Sequence, residues 1–184
     1  MRRLFSSILL LGLASALPSV AKPLTGQKEI FLVDDAGHRI LIGYVKFSQN
    51  GETTIYDLEF NDEVFSEHFL SMRPFKCLEG PDKHWCHVPY PYELQRYVSA
   101  EDLTDLEYDL LFIHKGATEY GINMWNGIYY RLNADGDHLV GQLHEMDMDV
   151  LSAPPEAGNL RPIKHDDIHE SDPDSHWLPG IVIE

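Results

Sequence analysis

Residues 28–60 read KEIFLVD-DAGH-RILIGYVKFSQ-NG-ETTIYDLEF, and this stretch decides the fold class. Lys28 to Asp34 is a continuous apolar run of strand length. Asp35-Ala36-Gly37-His38 is turn chemistry. Arg39 to Gln49 then resumes an extended pattern that puts Gly43, Val45 and Phe47 on one face. Asn50-Gly51 is a hairpin signal. From Thr53 to Phe60 the chain alternates, with Tyr56, Leu58 and Phe60 on one face and Ile55, Asp57 and Glu59 on the other. Three such runs joined by tight turns predict an antiparallel meander.

The rest of the chain is read outward from that meander. Trp125 to Leu132 (WNGIYYRL) and His138 to Met146 (HLVGQLHEM) flank the turn Asn133-Ala134-Asp135-Gly136-Asp137 and predict a hairpin. Ile128, Tyr130 and Leu132 share one face of it, as do Leu139, Gly141 and Leu143. Asn61 to Met72 changes period. Asn61 can cap a helix, Asp62 and Glu63 suit its first turn, and Val64, Phe65, His68, Phe69 and Met72 form an apolar stripe ended by Pro74. The prolines of Val88-Pro89-Tyr90-Pro91-Tyr92 indicate an extended cover segment. Ser99 to Asp102 opens a short helical turn, and Glu107 to Lys115 (EYDLLFIHK) reads as a strand. From residue 152 to 184 the chain is an irregular acidic tail packed on the domain through Trp177, with Gly180 to Ile183 as an edge strand. About seven short strands with one or two short helices predict a mostly β, antiparallel domain over residues 22–151. A small calycin-like β-barrel or sandwich fits best, and an open antiparallel sheet with helices on one face is the alternative.

Arg2 and Arg3 precede an apolar run from Leu4 to Leu17, and small residues Ser19-Val20-Ala21 follow. This is the pattern of a cleavable signal peptide over residues 1–21, which places the protein in the periplasm or outside the cell. In that compartment Cys77 and Cys86, the only two cysteines, are expected to form a disulfide. Gly80-Pro81-Asp82 turns the chain between them. Closing so short a loop stabilises by roughly 2–3 kcal/mol. A redox or metal-binding pair is the alternative, but the close Cys-x-x-Cys spacing is missing. Cleavage leaves 12 basic against 30 acidic side chains, a net charge near -18. Such a surface repels phosphate backbones and anionic lipid, so no nucleic acid is expected as a partner. No later stretch approaches the roughly 20 apolar residues of a spanning helix, so no membrane span is expected.

The strings FLSMRPFKCLEGP (residues 69–81), WCHVPYPY (residues 85–92) and YGINMWNG (residues 120–127) are distinctive. In them the chain resembles an uncharacterised family of exported proteobacterial proteins, over most of its mature length. The resemblance implies a periplasmic setting. It carries no activity and no catalytic residue.

Candidate chemistry falls into three groups. Trp85, His87, Tyr90, Tyr92, Tyr120, Trp125 and Tyr130 would wall a small-ligand pocket if they converge at a barrel mouth. The same aromatics would equally fill a core, with their OH and NH groups on backbone partners. His144, Met146 and Met148 lie on one face of a strand and suit copper(I). His165 and His169, at i and i+4 with Asp172 and His176 nearby, suit zinc if the segment is helical. Against these stand a core-facing strand end with gap-filling methionines and a solvated acidic tail. Asp135-Gly136-Asp137 lacks the late ligands of a calcium loop and reads as a turn. No nucleophile elbow, His-Glu-x-x-His, phosphate-cradling loop or dinucleotide fingerprint is present. Glu67 beside His68, and Asp109 among apolar neighbours, are the carboxylates a hydrolase would use. The primary expectation is an exported binding module for a small molecule or an envelope protein, with no cofactor. The second is a copper or zinc handler, and the third a carboxylate-dependent hydrolase.

Overall fold

The computed structural model describes residues 24–51, 53–70 and 73–184, so the leader lies outside the described residues. Among the described residues twelve strands form one antiparallel sheet: β1 (Gly26–Val33), β2 (Arg39–Asn50), β3 (Thr53–Phe60), β4 (Ser66–Leu70), β5 (Arg73–Glu79), β6 (Lys83–His87), β7 (Tyr97–Val98), β8 (Phe112–Gly116), β9 (Gly127–Asp135), β10 (His138–Met146), β11 (Ile168–Glu170) and β12 (Gly180–Ile183). One short helix, α1 (Thr104–Asp109), lies between β7 and β8. No helix among the described residues is long and apolar enough to cross a membrane.

The path through the sheet is β4-β5-β6-β8-β9-β10-β12-β1-β2-β3-β7, with β11 pairing β10 off this path. Its two ends, β4 and β7, are not joined, so the chain is mostly antiparallel β without a closed ring of strands among the described residues. The expected meander forms β1 to β3, with a register shift between Ile30 and Phe31. Its second hairpin pairs Asn50 with Thr53, so the turn begins at Gly51, whose φ is +66°. The hairpin of β9 and β10 pairs Gly141 with Leu132 and Leu143 with Tyr130, as the alternation requires.

Two buried clusters lie on opposite faces of β5, β6 and β8 to β10. Leu78, Trp85, Phe112, Ile128 and Tyr130 enter one, together with the inner faces of β1, β2 and β12. Phe75, Cys77, Cys86, Ile113, Tyr129 and Met146 enter the other, which is covered by Val88, Tyr90, Met148 and Leu151. A sheet buried on both faces loses its polar-apolar alternation. That is why Phe112-Ile113 in β8 and Ile128-Tyr129-Tyr130 in β9 run apolar without alternation.

Three expectations are corrected. The helix expected over 61–72 is a single 3-10 turn (Asp62–Val64) followed by β4. Asn61 does cap that turn, accepting from the Glu63 N–H, but Phe69 pairs opposite Pro74 and is exposed. Edge pairing with β5 overrides the local period, and Ser71 and Met72 lie outside the described residues. The strand expected from Glu107 begins only at Phe112, because α1 occupies 104–109. The helical form sends Leu106 and Leu110 into one cluster and Tyr108 and Leu111 into the other. Finally, β12 is an interior strand, paired with β10 on one side and β1 on the other. The tail therefore joins the two halves of the sheet.

Candidate metal centre

The seven aromatic candidates do not converge on one cavity. Trp85 is fully buried, with the rings of Phe112, Tyr130, His176 and Trp177 at 6.0–6.5 Å. Tyr130 is buried beside it and donates to Leu178 O (2.8 Å). Tyr90 donates to Leu160 O (2.8 Å), tying the cover segment to the tail, and Tyr92 donates to Leu151 O (2.7 Å) just before it. Tyr120 and Trp125 are 87% and 69% exposed. His87 alone lines a cavity, of about 330 Å³, with Phe60, Arg73, Phe75 and Lys76. The buried phenols of Tyr90 and Tyr130 find tail carbonyls as partners, which their own spacing does not reveal.

The metal candidates are also dispersed. Met146 and Met148 are buried in the second cluster, filling space against Gly127. His144 donates from Nδ1 to Gln142 O (3.1 Å) and borders an open groove of about 1020 Å³ on the outer face of β10 and β12. His165 sits in a 3-10 turn and His169 in β11, so no helix aligns them.

The structure instead brings together His114 of β8, Glu145 of β10 and His176 of the segment before β12. One donor atom from each lies within 4.8 Å of the others. Strand pairing explains the assembly. Trp85 pairs with His114, and both lie on the sheet face whose floor is the Trp85 ring. His176 packs down on that floor, its ring 5.0 Å from the His114 ring. His176 Nε2 donates to Glu145 Oε1 (2.7 Å). In the neutral ring Nδ1 is then the nitrogen with the lone pair. That atom is buried and has no hydrogen-bond partner among the described residues.

Burial holds His114 well below the ordinary histidine range, at about 4, with help from Lys83 and His176. Its ring is neutral at pH 7, the form that offers a lone pair to a metal. Lys83 itself donates to Ser175 O (3.0 Å), so the cation is anchored beside the 171–179 segment. Two imidazoles and one carboxylate form a borderline-soft donor set that suits Zn²⁺ or Cu²⁺. Tetrahedral zinc with ligands at about 2.0–2.1 Å sets donors about 3.3 Å apart. The present spread of up to 4.8 Å is wider, so holding a cation would require the side chains to rotate inward.

The hydrolase candidates are committed elsewhere. Asp109 accepts from Tyr56 OH (2.8 Å) and Arg96 Nε (3.0 Å). Glu67 is exposed on the edge strand β4. A carboxylate not singled out in the sequence, Glu107, is buried and accepts from Leu132 N (2.7 Å) and Tyr129 OH. Burial raises its pKa, and both oxygens are used in tying α1 to β9.

No local motif announces His114, Glu145 and His176, because each comes from a different element. The one available signal is that Glu145 lies beside His144, and His176 beside Trp177, in segments already suspected of metal binding or docking. Compared with known proteins, the chain matches no family model, no curated protein and no solved structure.

Proposed function

We propose that the protein is an extracytoplasmic binding protein for a divalent transition cation of the zinc class, held by His114, Glu145 and His176. The observation that carries this reading is the grouping of three metal-competent donors, His114, Glu145 and His176, over a buried floor. The Cys77–Cys86 disulfide supports an oxidising compartment. Tag-free protein, stripped with a chelator and titrated with zinc, should take up one equivalent per chain. The His114→Ala and His176→Ala variants should lose it. Stoichiometry well below one in the parent protein ends the reading.

A second reading is small-molecule binding, favoured by the cavity at His87. Arg73 stacks over Phe75 (4.7 Å) and Lys76 pairs with Asp62 at its rim. Two cations and two aromatic rings suit a small aromatic carboxylate. Thermal shift with benzoate and salicylate tests it, and no stabilisation in the parent protein removes it.

A further inference from the structure

Resting on the small-molecule reading of the cavity at His87, we infer that its ligand is a single-ring carboxylate that also carries a hydroxyl group, with Lys76 taking the carboxylate and His87 Nδ1 accepting a hydrogen bond from the hydroxyl. The register that pairs Cys77 with Cys86 carries Lys76 of β5 opposite His87 of β6. Residues so opposed project to the same face with Cβ atoms about 5 Å apart. Phe60 walls the cavity beside them, its ring 4.3 Å from the His87 ring, and Pro74 and Pro89 line it further. At about 330 Å³ the cavity is small for a ligand site and has room for one ring.

The His87 ring has one edge to offer. Phe60 and Phe112 pack against it at 4.3 and 5.6 Å. Its Nε2 donates to Asp109 O (3.0 Å), since a carbonyl can only accept. Burial holds its pKa at about 4, so the ring is neutral at pH 7 and Nδ1 keeps the lone pair. That atom has no hydrogen-bond partner among the described residues, yet unlike Nδ1 of His84 and His176 it is not sealed from solvent. The open side of the ring is the cavity that His87 lines. An accessible acceptor in an apolar wall calls for a donor. A carboxylate has none at pH 7, whereas a phenolic hydroxyl, with a pKa near 10, keeps its proton. Lys76 supplies the cation on the same wall. Its present partner, Asp62, is an exposed carboxylate, and an ion pair of that kind exchanges at little cost. One acceptor and one cation on a single wall complement a donor and an anion on a single ring.

Calorimetric titration of the full chain at pH 7 compares benzoate, meta- and para-hydroxybenzoate, and the methyl ethers of both. One hydroxybenzoate should bind at least about fivefold more tightly than benzoate. Its methyl ether, which has no donor, should lose that gain. Salicylate, whose hydroxyl is held by its own carboxylate, should bind like benzoate. His87→Phe keeps a flat ring without an acceptor and should bind the preferred hydroxybenzoate no more tightly than benzoate. Lys76→Gln should weaken every acid in the series. The methyl-ether comparison needs only the parent protein, so it decides the hydroxyl assignment even where His87→Phe fails to fold. If the parent binds benzoate and both hydroxybenzoates equally, or the methyl ether keeps the gain, or His87→Phe keeps the preference, the acceptor role of His87 is overturned and the small-molecule reading stands. Unchanged affinities in Lys76→Gln overturn the carboxylate assignment. If the parent binds none of these acids, the small-molecule reading itself fails and this inference falls with it.

Discussion

Trp177 lies against Gly80, so the C-terminal segment is seated on the turn of the disulfide hairpin. A Cβ at position 80 would lie 2.7 Å from Trp177 Cζ2 and 2.5 Å from Lys83 O. The indole can shift, but the Lys83 carbonyl is backbone in the same turn and cannot. The contact also fixes the residue next to His176, so the hairpin and the proposed cation site share one support. Gly80→Ala is expected to lower stability by about 1–3 kcal/mol in urea unfolding. It should weaken zinc binding as well. Unchanged stability and affinity would show that the indole does not hold the segment.

Cys77 and Cys86 face each other directly across β5 and β6, with Cα atoms 3.9 Å apart. The bond closes a short loop and constrains mainly the unfolded chain. Oxidised protein should exceed reduced protein in unfolding free energy by roughly 2–3 kcal/mol. Paired urea titrations with and without reductant measure the difference.

Arg161 carries the tail onto α1. It donates from Nε to Asp105 Oδ1 (2.7 Å) and from its terminal nitrogen to Asp102 Oδ2 (2.6 Å), and it covers the Tyr97 ring (5.2 Å). The Asp105 side chain is 3% exposed and, among the described residues, has the Arg96 N–H as its one further donor. Arg161→Ala leaves that buried charge uncompensated and should cost about 3–5 kcal/mol. Arg161→Lys should recover only part, because a single ammonium cannot serve both carboxylates in the same fork. Chemical denaturation of the two variants checks the order.

His87 gives a pH dependence with a definite sign. Burial depresses its pKa to about 4, against about 6.5 in the unfolded chain. Between those values the unfolded chain takes up a proton that the folded protein refuses. The contribution is complete above pH 6.5 and lost as pH falls toward 4, by at most roughly 3 kcal/mol. His87→Asn should flatten that part of the stability profile relative to the parent. Parallel slopes for the two proteins from pH 7 to 4 would contradict the depressed pKa.

The meander at 26–60 and the hairpin at 127–146 were legible because neighbouring strands and tight turns write their pairing into local alternation. The disulfide was legible for the same reason, its turn lying between the two cysteines. Residues 61–70 misled because an apolar stripe at helical spacing also fits an edge strand, and only the partner β5 decides between them. Residues 104–116 misled because burial on both faces removes the period. The cation cluster was illegible, since His114, Glu145 and His176 meet only when β8, β10 and the segment before β12 are in register.

Residue order by itself determined a mostly β antiparallel chain, its two main hairpins, the Cys77–Cys86 crosslink and a strongly acidic surface. All of these follow from side-chain period, turn chemistry and charge count, which act over a few residues. Tertiary structure alone decided that β12 enters the sheet between β10 and β1, that Trp85 and Tyr130 pack a core while Tyr120 and Trp125 stay exposed, and which imidazoles meet a carboxylate. Those outcomes depend on long-range strand pairing, whose free energy is settled by what each face finds to bury against.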